Sequence, residues 1–142
     1  MKEFFLMLFL AKSIAITTEP IDIIGNVNLS LAEPVSAITS GANVRIDITN
    51  SLEGKIDLSN IVSVLDYLKA QYPNGSVKAI LTTSTGERVI LENVSGSTNG
   101  ENAELVISSS SGLQTGIEFS KLEIESSKKL LGVSITWQNH SK

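Results

Sequence analysis

Val133-Ser134-Ile135-Thr136-Trp137 decides the fold of this chain, because apolar side chains alternate there with small polar ones. Successive side chains of an extended strand point to opposite faces. This period of two therefore predicts a strand that buries Val133, Ile135 and Trp137 and turns Ser134 and Thr136 outward. The same alternation recurs in Val44-Arg45-Ile46-Asp47-Ile48-Thr49 and in Val27-Asn28-Leu29-Ser30-Leu31. Val77 to Thr83 and Arg88 to Val94 flank Ser84-Thr85-Gly86-Glu87, whose glycine tolerates the positive φ of a tight turn, and so predict a hairpin. Ala103 to Ser109 adds another strand. Between Ile117 and Glu125 the apolar positions Ile117, Phe119, Leu122 and Ile124 slip in phase by one residue, which predicts a β-bulge near Ser120.

Only one stretch has helical spacing. Leu58, Ile61, Val62, Leu65, Leu68 and Tyr72 recur every three or four residues, Asp57 stands where an N-cap would accept first-turn N–H groups, and Pro73-Asn74-Gly75 ends the pattern. Such a stripe needs a surface to bury against, which places the helix over one end or face of the sheets. Turn-rich segments lie at Ser40-Gly41, Val94 to Glu101 and Ser108 to Gly112. Seven or eight short strands and one short helix predict an all-β fold, an antiparallel β-sandwich of jelly-roll or immunoglobulin-like type.

At the N-terminus, Lys2 precedes the apolar run Phe4 to Ala11, and the small residues Ser13 and Ala15 follow. This is the pattern of a signal peptide over residues 1–15 with cleavage after Ala15. The run is shorter than the roughly 20 apolar residues of a spanning helix, and Lys12 interrupts it, so no stable membrane span is expected. Residues 16–142 then form a single domain. Eleven Lys and Arg against 15 Asp and Glu give a net charge of −4, and losing Lys2, Glu3 and Lys12 makes the balance more negative still. A nucleic-acid partner is therefore not expected. With no cysteine in the chain, disulfides, thiol catalysis and thiolate metal sites are excluded. An exported chain without disulfides suits a bacterial envelope, so the expected localisation is secreted or periplasmic.

Hard oxygen ligands gather in Asp47, Asn50, Glu53 and Asp57, with Thr49 among them; ordinary loop polarity accounts for them and no cofactor is expected, calcium being the one that such a loop could take. The spacing is not that of an EF-hand. Glu123 and Glu125 share a strand face about 6.6 Å apart along the backbone, a separation that overlaps that of an inverting glycosidase pair. Lys121 shares the same face, however, and a solvated sheet surface accounts for all three. Ser126-Ser127-Lys128-Lys129 has Ser-x-x-Lys spacing without the companion motifs of penicillin-recognising enzymes, and reads as a hairpin turn. His140, the only histidine, stands near the chain end, where a rigid triad is not expected.

For ligand binding the aromatic candidates are Tyr67, which falls off the apolar stripe, and Trp137, which reads first as core and second as a ring platform for a sugar. The strand ending at Trp137-Gln138 is placed at a sheet edge open to strand addition. These features point to a non-catalytic exported binding or accessory module that recognises a protein or glycan partner. The alternative is a small carboxylate-dependent or metal-assisted glycan hydrolase, or a structural subunit of a larger assembly.

Overall fold

A computed structural model describes residues 13–52 and 54–139, and its strands follow the alternation. In chain order the elements are β1 (Ser13–Ala15), β2 (Ile21–Ile23), β3 (Asn26–Ser36), β4 (Asn43–Asp47), α1 (Thr49–Leu52), α2 (Ile61–Gln71), β5 (Val77–Thr83), β6 (Arg88–Leu91), β7 (Asn93–Thr98), β8 (Ala103–Ser108), β9 (Glu118–Ser126) and β10 (Leu130–Gln138). One sheet has six strands in the order β1-β10-β4-β8-β7, with β2 also paired to β10; the other has four, β3-β9-β5-β6. Every pairing is antiparallel.

The chain changes sheet at each step from β2 to β5, and again between β6 and β7, β8 and β9, and β9 and β10. With β2-β10-β4-β8 facing β3-β9-β5-β6, this is the jelly-roll arrangement, and β7 extends it as an additional edge strand. An immunoglobulin-like sandwich keeps its first two strands in one sheet, whereas β2 and β3 lie in different sheets here.

Strand β10 is central. Trp137 pairs with Val44 of β4 on one side and with Ile14 of β1 on the other, so in the full chain the edge expected to be open at Trp137-Gln138 is covered by residues 13–15, which belong to the expected signal segment. The inner face of the six-stranded sheet carries Val44, Ile46, Leu105, Ile107, Val133, Ile135 and Trp137, all fully buried, opposite Leu81, Phe119, Leu122 and Ile124. Trp137 Nε1 donates to the Ser36 carbonyl of β3 at 3.2 Å, and its ring lies 6.5 Å from that of Phe119, tilted by 58°. One side chain thus fills the core and links both sheets. Burying a ring of 150–250 Å² stabilises the fold by about 4–6 kcal/mol at the usual area coefficient.

The bulge expected near Ser120 is present: Thr82 pairs with Lys121 and Thr83 with Phe119, leaving Ser120 as the extra residue, so that Phe119 and Leu122 both reach the core. Opposite, β3 bulges between Ser30 and Val35, where Pro34 occupies an edge strand. The run Arg88 to Val94, read as one strand, divides at Glu92 as the chain passes from β6 to β7 in the other sheet. β7 itself occupies part of a segment read as turns.

The helix differs from expectation at its start. Asn60 is the N-cap, accepting from Ser63 N at 3.1 Å, while Asp57 holds the preceding turn by accepting from Ser59 N and Oγ. The short helix α1 was not expected. α2 lies against β7, and the contact is close: a Cβ on Gly96 would sit 2.7 Å from Leu68 Cδ1 and 3.0 Å from Leu68 Cβ. Glycine at this position is what lets the helix approach. Gly96→Ala should therefore destabilise the protein by about 1–3 kcal/mol in urea unfolding. Combined with Leu68→Ala, its cost should shrink; strictly additive effects would contradict the contact.

Candidate functional site

The apolar stripe of α2 is wider than the surface it covers. Val64 and Leu68 in the helix, with Tyr72 just beyond it, are buried, but Ile61, Val62 and Leu65 remain 46%, 69% and 38% exposed. The expected single stripe is thus divided between a core-facing row and an exposed aliphatic row. Beside the exposed row, α2 and β7 enclose a half-open groove of about 510 Å³. The helix contributes Leu65, Leu68 and Lys69 to it, its C-cap residue Tyr72 adds a ring, and β7 contributes Val94, Ser95 and Gly96.

Local chemistry holds the groove open. After Pro73, the Asn74 side-chain carbonyl accepts from Val94 N at 2.8 Å, and Gly75 N donates to the Glu92 carbonyl at 2.8 Å. The end of the helix is thereby tied to the crossover between the sheets. Lys128 Nζ stands 5.9 Å above the Tyr72 ring and donates to Gln71 Oε1 at 2.6 Å. Burial, and secondarily the neighbouring Tyr67, push the Tyr72 hydroxyl above its ordinary 10.0. The Lys69 side chain makes no hydrogen bond or ion pair among the described residues.

The residues singled out from sequence lie elsewhere or serve locally. Trp137 is fully buried and unavailable as a ring platform, because its alternation phase directs it between the sheets. Tyr67 is half-buried against the core rather than exposed, because α2 turns its buried side toward the phase of Val64 and Leu68. Asp47 Oδ1 accepts from Thr49 N and Oγ1, Asn50 Nδ2 donates to the Gly132 carbonyl, and Asp57 is used by Ser59, whose two hydrogen bonds lower the Asp57 pKa. Glu53 lies outside the described residues, and among those described no three acidic or histidine side chains are gathered for a metal.

Glu123 and Glu125 do share the outer face of the four-stranded sheet, where Arg88 Nη2 stands 3.7 Å from Glu123 and Asn26 donates to it at 2.9 Å. Ser126 Oγ donates to the Lys128 carbonyl in a turn that passes between sheets rather than closing a hairpin. Residues 1–12, which carry most of the export pattern, and His140 lie outside the described residues. No described helix is long and apolar enough to cross a membrane.

Sequence reasoning missed Leu65, Lys69, Ser95 and Gly96 as a group. The available signal was the excess of apolar residues on α2, more than one contact face can bury. Fold and groove together define a jelly-roll β-sandwich whose additional edge strand faces a helix. Comparison with known proteins finds no matching family model, no similar curated protein and no similar solved structure.

The Tyr72 environment has a measurable consequence. The phenolate absorbance of the folded protein should show a step above pH 10.0 that is absent from Tyr72→Phe. Because the folded pKa is raised, the stability linked to this proton is intact below the unfolded value of about 10 and is lost as pH rises toward the folded one. Alkaline unfolding should accordingly be less steep in the variant across that window.

Proposed function

We propose that the chain is a non-catalytic, exported binding module, secreted or periplasmic, that recognises a protein partner at the groove between α2 and β7. The observation that carries this reading is that Leu65 belongs both to the wall of the groove and to the exposed aliphatic row that it forms with Ile61 and Val62. Contiguous exposed apolar surface is a mark of interaction sites. A protein partner is favoured over a glycan because sugar sites rely on exposed aromatic rings, and none of the four described aromatic residues is exposed. Export rests on the pattern of residues 1–15. Cleavage after Ala15 would remove β1 from the flank of β10 while leaving Ile16 N beside the Ile135 carbonyl, 2.9 Å away.

Crosslinking in the native cells, with mass spectrometry of the captured complex and of the N-terminus, tests both parts. The expected result is a mature N-terminus near Ile16 and a recurrent protein partner whose capture is lost in Leu65→Asp and Val62→Asp. Val62→Asp, at the more exposed of the two positions, should change stability by no more than about 0.5 kcal/mol. Undiminished capture by both variants would refute the groove, and an uncleaved cytoplasmic chain would refute export.

A further inference from the structure

We infer that the groove takes its partner as an added β-strand: an extended protein segment that hydrogen-bonds to β7 at Gly96, seats an aliphatic side chain against Leu65 and places a carboxylate at Lys69. This rests on the reading of the groove as a protein-binding site and specifies how it binds.

The ladder phase supplies the first argument. Asn99 N donates to the Asn102 carbonyl at the end of the β7–β8 hairpin, so the pairs Ser97–Glu104 and Ser95–Val106, in step with it, exchange the bonds between these strands. The intervening residues Val94, Gly96 and Thr98 direct their backbone groups away from β8. Val94 follows this rule, since its N–H goes to Asn74 rather than to a strand. The next outward pair, the N–H and C=O of Gly96, points to the side of the groove.

A second argument comes from comparing edges. Sheet edges are usually blunted by charge, proline, bulges or brevity. β1 and β2 have three residues each, β6 has four and carries Arg88, and β3 carries a bulge and Pro34. β7 has six residues, Asn93-Val94-Ser95-Gly96-Ser97-Thr98, with neither charge nor proline. With β1 in place, β7 alone among the described edges lacks these devices; cleavage after Ala15 would also uncover Thr136 to Gln138 of β10, but of the two it is β7 that borders the groove.

Charge supplies the third. Among the described residues Lys69 is the only cationic side chain lining the groove, and it forms no ion pair with Asp66, its neighbour on α2, or with any other described acid. A carboxylate on the incoming segment is the complement that this lysine lacks. Strand addition uses these parts together, with backbone bonds holding the segment and alternate side chains setting its specificity.

The test is selection of phage-displayed random octapeptides on the purified full chain. Enrichment of alternating β-branched sequences carrying one Asp or Glu is expected. A synthetic peptide of the enriched sequence should slow amide exchange at Gly96, and N-methylation of its residue opposite Gly96 should weaken binding roughly tenfold. Lys69→Glu should shift selection from acidic to basic peptides. No enrichment, or binding that ignores N-methylation and leaves Gly96 exchange unchanged, overturns strand addition. Peptides that bind as helices and depend on Leu65 overturn it while sparing the groove as a protein site. Binding indifferent to Leu65→Asp removes the groove itself.

Discussion

The inner face of β10 must stay dry, and the rest of the architecture follows from that constraint. Val133, Ile135 and Trp137 are buried without residual exposure in a strand flanked by β4 on one side and by β1 and β2 on the other. No disulfide is available to hold the two layers together, so apolar burial carries the load. Trp137 does so from one sheet while bonding to Ser36 of the other. Asn139, just beyond the strand, repeats the link by accepting from Ile38 N at 2.7 Å. The bulge at Ser120 serves the same end, since without it Phe119 or Leu122 would face solvent.

The far edge of the six-stranded sheet solves a different problem. β7 extends past β8, and α2 lies against it. Gly96 admits Leu68 where any side chain would collide, which brings helix and strand close enough to share a wall. The helix is then oriented by Val64 and Leu68, and its surplus aliphatic residues Ile61, Val62 and Leu65 are left outside. Packing on one side thus creates the exposed apolar row on the other. The functional reading proposed for this edge rests on that geometry, together with the unpaired cation of Lys69.

Much of the fold was legible because alternation is a local property. Val44, Ile46 and Ile48 declare their burial through their period, as do Val133, Ile135 and Trp137, and the phase slip after Phe119 announces the bulge. The candidate site was not legible in this way. Asn93 to Thr98 has a composition poor in strand formers, so only pairing with β8 and contact with α2 make it a strand. Glu92 gives no local sign that the chain changes sheets there. Asp57 and Asn60 are equally good caps by residue type, and the chain path before α2 selects Asn60.

By itself the sequence determined an antiparallel sandwich without disulfides, most of its strands, the bulge and the identity of its core, since each depends on side-chain period and composition within a few residues. Tertiary structure alone decided the jelly-roll connectivity, the central place of β10, the strand character of β7 and the groove beside α2. Those features depend on which surfaces meet after the chain has crossed between sheets, and a contact such as Leu68 on Gly96 joins residues 28 positions apart whose fit neither segment encodes alone.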